Sequence, residues 1–331
     1  MPADRDPWPL ISVCIPVKNG GKRLGRCLQS VRDLDYPQDR IEIIIADGRS
    51  VDDTIEVAKS FGSKVLDNPG EIVASGRNVA FSAARGSFIA STDDDCIVPR
   101  DWVKRALPAF DAAEVAAVGG ISLLPADAPA WAQAANYVFR LASKNGYSVQ
   151  ADHLLAGDSE DIPGCNAFYR TDVFREVGPF DEKLVTAEDV ELHSRLRAIG
   201  MRLKTSSELF VWHDKRPTPR GLFRQMRRFA EGRVQLSRKI PHLLRPLHRL
   251  MGWSVPIGGA VVVALIATST FWLVPAGVVA GWLLLAVKAG VDGERSPAAL
   301  LVGPALAVVM LGWSYGYLKE RFVPMKSAAG R

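Results

Sequence analysis

Cysteine is scarce in this chain: there are four among 331 residues, Cys14, Cys27, Cys96 and Cys165, and none forms a CxxC pair. That scatter argues against a disulfide-stapled framework. The opening residues, MPADRDPWPL, carry no basic stretch followed by an apolar core. A secretory leader is therefore not expected, and the first part of the chain is assigned to a reducing cytoplasm. Neither an internal repeat nor a low-complexity tract is visible. Formal charge is missing from two long stretches, 38 residues at 250–287 and 23 residues at 296–318. These exclude a chain that is soluble throughout. With 48% hydrophobic and 23% charged residues, a disordered or fibrous chain is excluded too. The mean hydropathy of +0.06 lies between that of a soluble enzyme and that of a polytopic transporter, as an average over two unlike parts would.

The charges divide the chain into three zones. Residues 1–218 hold 26 Lys+Arg against 32 Asp+Glu, residues 219–250 hold nine basic residues against Glu231 alone, and residues 251–331 hold six against three. We therefore expect a cytosol-type domain over 1–218, a basic segment over 219–250 and a membrane anchor over 251–331. A basic belt beside an apolar run attracts anionic membrane lipids, at about 1 kcal/mol per Lys or Arg near the surface. It also marks its own side as cytoplasmic. The expectation is a multi-pass protein of the inner (cell) membrane with its first domain in the cytoplasm, and no nucleic-acid partner. Leu222, Phe223, Met226, Phe229, Val234 and Leu236 interleave with the arginines of the belt. That pattern suggests a helix lying in the interface plane, broken by Pro241 and Pro246.

A single helix of the 38 uncharged residues would be about 57 Å long, against a hydrocarbon core of about 30 Å. Pro275 and Gly277 lie near its middle, so two spans are expected at about 255–274 and 276–291, with a third at about 298–318. Three full spans would leave Lys319, Arg321, Lys326 and Arg331 on the far side, against the positive-inside tendency. Two spans with a re-entrant piece would return them, and the sequence fits both.

Ahead of the anchor, strand and helix signals alternate. Strands are expected at 11–17, 41–46, 64–66 and 87–91, with helices at 24–34, 54–61 and 73–84. The 41–46 run, IEIIIA, is of the kind buried on both faces of a parallel sheet. Such βαβ alternation predicts an α/β, Rossmann-like, doubly wound and mostly parallel sheet that binds ligands beyond the carboxyl ends of its strands. Acidic loops begin at two such ends, at Asp47 and at Asp93. Residues 121–160, with a helix at 131–143 and a flexible stretch at 145–161, read as a lid or acceptor-side insertion.

The strongest local signal is Thr92-Asp93-Asp94-Asp95-Cys96. Adjacent carboxylates repel unless a cation compensates them, and oxygen ligands suit Mg2+ or Mn2+ bridging to substrate phosphates. Three other segments accompany it: Pro16-Val17-Lys18-Asn19 after the first strand, Asp47-Gly48-Arg49-Ser50-Val51-Asp52-Asp53-Thr54 after the second, and Arg77-Asn78 on the helix before the Asp triplet. A guanidinium at Arg77 is suited to meet phosphate. Further on stand Pro163-Gly164-Cys165-Asn166-Ala167-Phe168-Tyr169-Arg170, Gly178-Pro179-Phe180-Asp181-Glu182, Ala187-Glu188-Asp189, His213 and Gln225-Met226-Arg227-Arg228-Phe229.

In this order and spacing the segments resemble the family 2 glycosyltransferases of the GT-A fold, over about residues 10–235. The C-terminal anchor is similar to that of membrane-anchored succinoglycan and exopolysaccharide-type members. The last motif departs from the family's Q-x-x-R-W in having Phe229 for Trp, which speaks against long processive synthesis. The resemblance implies an inverting, metal-dependent, hexosyltransferase-type enzyme with a nucleotide-sugar donor, a UDP-sugar being favoured, and a lipid-linked or membrane-associated saccharide acceptor. It implies Asp189 as general base with Glu188 as alternate. Pro16, Val17, Asn19, Asp47, Arg77, Asp93, Asp94 and Arg228 are implied on the nucleotide sugar, and Gly164, Asn166, Arg170 and Gln225 on the acceptor side. Asp95, Asp93 and His213 are implied on Mg2+ or Mn2+. Two other readings fit the sequence: transfer to polyprenyl phosphate, which needs no base because that acceptor is already ionised, and a membrane scaffold with an inactive domain.

Overall fold

In the computed structural model, which describes residues 7–144, 156–268, 270–294 and 297–324, the first two apolar runs become neighbouring parallel strands. These are β1 (Ile11–Val17) and β2 (Ile41–Asp47), with α1 (Gly21–Arg32) between them. Alternate side chains of β1 enter different cores. Ile11, Val13 and Ile15 pack with Leu24, Leu28 and Val31 of α1, while Cys14 packs on the other face with Ala80 and Phe81. Because both faces are covered, the strand shows no polar alternation. Then come α2 (Thr54–Ser60), β3 (Lys64–Asp67), α3 (Val73–Ser82) and β4 (Phe88–Thr92). The order β3-β2-β1-β4 is parallel throughout, as the alternation predicts.

Beyond β4 the strand sense changes. After β5 (Cys96–Ile97), α4 (Trp102–Ala106), β6 (Val115–Leu123), α5 (Ala130–Lys144) and β7 (Gly157–Ser159) comes β8 (Asn166–Arg170). It enters the sheet at the edge where β4 leaves it, Asn166 opposite Thr92, and so runs antiparallel to β4 and also to β6. Then α6 (Thr171–Val177) and α7 (Glu188–Ala198) lead to β9 (Arg202–His213), which is parallel to β6 and antiparallel to β5 and β7. The nine-stranded sheet reads β3-β2-β1-β4-β8-β6-β9-β5, with β7 on β9. Its first four strands are the parallel ones, and the rest are mixed.

The helix expected at 131–143 is α5, but it does not serve as a lid. Its Ala134, Ala135, Tyr137, Val138 and Phe139 form a core with Leu222, Met226, Ala299, Val302, Ala305 and Val309, so α5 docks the anchor onto the sheet domain. Most of the stretch expected to be flexible, 145–155, lies outside the described residues. The basic segment forms one long helix, α8 (Pro219–Lys239), capped by Thr218, whose side chain accepts from the Gly221 N–H at 3.1 Å. Pro241 and Pro246 end it as expected, Pro246 becoming the first residue of α9 (Pro246–Ala267). The next helices are α10 (Leu273–Val291) and α11 (Ala298–Phe322).

The break within the anchor falls ahead of Leu273, not at Pro275 as the sequence suggested. Pro275 sits in the first turn of α10, where a missing N–H costs no helical bond. All three helices are long and apolar enough to cross a membrane, yet 44% of the apolar window of α11 is buried against 6% for α9 and 11% for α10. The apolar face of α8, which the sequence placed in the lipid interface, packs on α11 instead. A Cβ on Gly312 would stand 2.7 Å from the Phe223 carbonyl oxygen, and one on Gly316 2.2 Å from that of Arg227. Only glycine permits the two backbones to approach this closely. At the same end, Lys319 donates to Glu231 (3.0 Å) and Arg238 to Glu320 (2.7 Å). These pairs tie the charged end of α11 to α8 on the side of the sheet domain.

Candidate active site

Parallel strands bring their carboxyl ends to one edge, and there the loops after β1, β2 and β4 meet. Pro16 and Val17 lie opposite Ala46 and Asp47. Asn19, with φ of 52°, accepts from the Val51 N–H (2.9 Å) and donates its own N–H to Ser50 (2.8 Å), fastening one loop to the next. Asp47 is buried; its Oδ2 accepts from the Ser50 N–H (3.0 Å), and its Oδ1 has no hydrogen-bond partner. A buried acceptor left open at a strand end suits an N–H or O–H of a ligand.

The Asp triplet divides three ways. Asp95 carries 8% side-chain exposure and faces His213 Nε2 at 3.2 Å and Arg216 at 3.6 Å. Asp93, Asp95 and His213 each offer a ligand atom within 4.8 Å of the others. His213 reaches this place because β9 ends opposite Cys96. Two carboxylates and an imidazole fit a divalent cation such as Mn2+ or, through the oxygens, Mg2+. Asp94, expected on the nucleotide sugar, turns away from this cluster and is held by Arg23 of α1 through two nitrogens, at 2.8 and 3.1 Å.

Arg77 also departs from its expected role. Its guanidinium is buried, donating to Glu188 Oε1 at 2.8 Å and to Asp93 Oδ1 at 3.3 Å. In this structure it is a strut joining the metal-type cluster to the start of α7. Gly164 closes over it, and a Cβ there would approach both terminal nitrogens at 2.8 Å. This one guanidinium faces several carboxylates. Burial raises Asp93 to about 6, and burial with the neighbouring Asp189 charge raises Glu188 to about 7, Arg77 opposing both. Burial and Asp161 also push Asp189 above the usual range. Burial works against the Asp95 charge as well, but His213 and the arginines outweigh it and hold Asp95 at about 2. The excess of negative charge is what a divalent cation would offset.

Glu188 and Asp189 open α7, and Ala187 before them adopts a left-handed φ of 68°. Glu188 is buried and engaged with Arg77, whereas Asp189 is partly exposed. Of the two, Asp189 is the carboxylate more open to solvent. Four residues on, one helical turn away, His193 is buried, donates to Asp161 and meets the Tyr169 hydroxyl at 3.0 Å. The i,i+4 spacing from Asp189 was the available signal for this support, and the sequence reading missed it. It also missed Lys215 and Arg216, which follow a strand end as Asp47 and Asp93 do.

Two acceptor-side expectations are overturned. Asn166 is fully buried, accepting from the Trp102 indole (2.8 Å) and donating to the Ile121 carbonyl (2.9 Å). It is a core pin. Arg170 lies at the far end of β8, about 13 Å along the strand at about 3.3 Å per residue. There it donates to the Val115 and Ala112 carbonyls at 2.9 and 3.1 Å and lies over Phe88 and Phe110. Gln225 and Arg228 share one face of α8 with Gly232 and Gln235. That face crosses the approach to α7, with Thr186 donating to the Arg228 carbonyl (3.0 Å) and Gln235 accepting from the Val185 N–H (3.0 Å).

Comparison with known proteins follows the same lines. The family model described as glycosyl transferase family 2 matches residues 12–178. The succinoglycan biosynthesis protein ExoA of Rhizobium meliloti is 27% identical over 324 residues, 93% of this chain and 94% of that protein. The glycosyltransferase AglE of Haloferax volcanii is 26% identical over 236 residues, 69% of this chain and 74% of that protein. Among solved structures, a mannosyltransferase from Pyrobaculum calidifontis, in complex with GDP-Man and Mn2+, superposes with a TM-score of 0.67 at 18% identity, covering 95% of this chain and 88% of that one. At that identity the likeness is one of fold.

Proposed function

The chain belongs to glycosyl transferase family 2, and from that membership we propose that it moves a hexose from a nucleotide-sugar donor to a lipid-linked or membrane-associated saccharide, inverting the anomeric carbon. The observation that carries this reading is geometric: Arg77 links Asp93, of the Asp93, Asp95 and His213 cluster, to Glu188, whose neighbour Asp189 is partly exposed at the start of α7. Asp189 accepts the proton of the acceptor hydroxyl as that oxygen attacks the anomeric carbon, and the bond to the nucleoside diphosphate breaks on the opposite face. Asp93, Asp95 and His213 would hold Mg2+ or Mn2+, which when bound offsets the charge gathering on the leaving diphosphate. Asp47 Oδ1 takes a donor N–H or O–H, and Arg228 and Gln225 line the approach above α7. Similarity to a succinoglycan biosynthesis protein supports a role in exopolysaccharide or cell-envelope glycan synthesis.

The anchor restricts the acceptor to the membrane. In this reading α9 and α10 form the hairpin that crosses the bilayer, and α11 lies along α5 and α8 on the side of the catalytic domain. The basic residues of α8 then face anionic lipid on the cytoplasmic side of the inner membrane. Labelling of single-cysteine variants in oriented vesicles tests this: Thr270→Cys should react from the side opposite the catalytic domain and Val323→Cys from the same side. Reaction of Val323→Cys from the opposite side would make α11 a third span.

The activity itself is tested by following nucleoside diphosphate release by the detergent-purified chain. A panel of sugar nucleotides is offered with Mg2+ or Mn2+ and a lipid extract as acceptor. Metal-dependent release from one donor, requiring the lipid, is the expected result. Silence across the panel together with no donor binding would overturn the transferase reading, and release surviving in Asp189→Asn would move the acceptor to an already ionised lipid phosphate.

A further inference from the structure

His213 has two nitrogens, and the proposed function uses one. Nε2 faces Asp95, while Nδ1 on the opposite side of the ring lies 3.7 Å from Cys165 Sγ and 3.2 Å from the Ser122 hydroxyl. Cys96, paired in register with His213, completes a second cluster: Cys96, Cys165 and His213 each offer a ligand atom within 4.8 Å of the others. Both cysteines are buried and free of any disulfide. They take no part in the transfer chemistry.

We propose that Cys96, Cys165 and His213 Nδ1 form a second metal site, for a thiophilic divalent ion such as Zn2+, back to back with the carboxylate site and sharing its imidazole. The spacing suits it. Zinc bonds of about 2.3 Å to sulfur and 2.0–2.1 Å to nitrogen set tetrahedral S···N edges of about 3.6 Å and S···S edges of about 3.8 Å. The 3.7 Å between Cys165 Sγ and His213 Nδ1 is within about 0.1 Å of that S···N edge. On binding, both sulfurs coordinate as thiolates and the protons they displace from the cluster go to solvent, two Zn–S bonds and one Zn–N bond form, and the two thiolates cancel the charge of the ion. A neutral complex of this kind is tolerated in a buried place where a bare cation is not. The fourth position stays open to Ser122 or water.

A neutral imidazole has one lone pair. With zinc on Nδ1 the proton resides on Nε2 and points at Asp95, so His213 is withdrawn from the carboxylate cluster. Thiophilic metal therefore antagonises Mn2+ through the shared ring while leaving Asp93 and Asp95 in place for oxygen-bound Mg2+.

The test needs no turnover, so its failure is distinguishable from failure of the transferase reading. Co2+ is titrated into the full-length, reduced, detergent-solubilised protein and the near-ultraviolet sulfur-to-cobalt charge-transfer band is recorded. The band should develop with one equivalent, persist in excess Mg2+, weaken strongly in Cys165→Ser and Cys96→Ser, and stay in Cys27→Ser. Because a serine in the core can unfold the protein, X-ray absorption on the unmutated, zinc-loaded chain provides a second reading: a sulfur shell at about 2.3 Å is expected. Only nitrogen and oxygen neighbours around zinc, or no cobalt–sulfur band in the unmutated chain, would overturn the site. Should the transferase activity be established, Zn2+ is expected to raise the Mn2+ requirement by on the order of tenfold.

Discussion

The two halves of the sheet treat the same kind of sequence signal differently. In the parallel half, β1, β2 and β4 deliver Val17, Asp47 and Asp93 to one edge without further help, since strands of one sense end on one side. In the mixed half, β8 starts at that edge and runs away from it, carrying Arg170 to the far side and sinking Asn166 into the core. Residues of the second half return to the site by other routes: His213 because β9 reverses again, and Glu188 and Asp189 at the start of a helix. A motif residue is placed by the direction of the element that bears it, and its position within the motif does not reveal that direction.

The contrast is open to attack at several points. Asp189→Asn, which removes only the proton acceptor, should lower kcat by about 10²–10⁴-fold while leaving the donor KM in place; a matching rise in KM would place Asp189 on the donor. In the mixed half, Asn166→Ala leaves the Trp102 N–H and the Ile121 carbonyl without that partner. It should cost about 1–3 kcal/mol of stability by thermal or denaturant unfolding, with Mn2+ affinity unaltered. The cluster around Arg77 gives a pH test. Asp93 is raised to about 6, so protons compete with the cation, and Mn2+ affinity measured by calorimetry should weaken as pH falls through that value. The smallest effect belongs to Arg170→Ala, which loses two carbonyl contacts and the ring faces of Phe88 and Phe110. About 1 kcal/mol of stability should go with kcat/KM unchanged, and a large loss of activity would return Arg170 to the acceptor side.

Much of this was legible before any coordinates. The charge-free run at 250–287 and the basic belt ahead of it announced the anchor, and IEIIIA announced a strand buried on both faces. The Asp93, Asp95 and His213 constellation followed from the resemblance, and the structure brings those three together. What was not legible depends on partners distant in sequence. Arg77 looked like a phosphate ligand because its two carboxylates lie 16 and 111 residues away. Asp94 looked equivalent to its neighbours until Arg23, 71 residues earlier, took it. The hydropathy of α11 matches that of a span, and only Gly312 and Gly316 with the paired Lys319 and Glu320 reveal a helix built to lie on α8.

In the proposed reaction donor binding rests on Asp95 and its neighbours, and proton removal rests on Asp189. Calorimetric binding of the nucleoside diphosphate in the presence of Mn2+, run on the unmutated chain, Asp95→Ala and Asp189→Asn, tests it most directly. Binding should be lost in Asp95→Ala and kept in Asp189→Asn, with turnover lost in both. Binding that survives in Asp95→Ala, or disappears in Asp189→Asn from a folded protein, would contradict it.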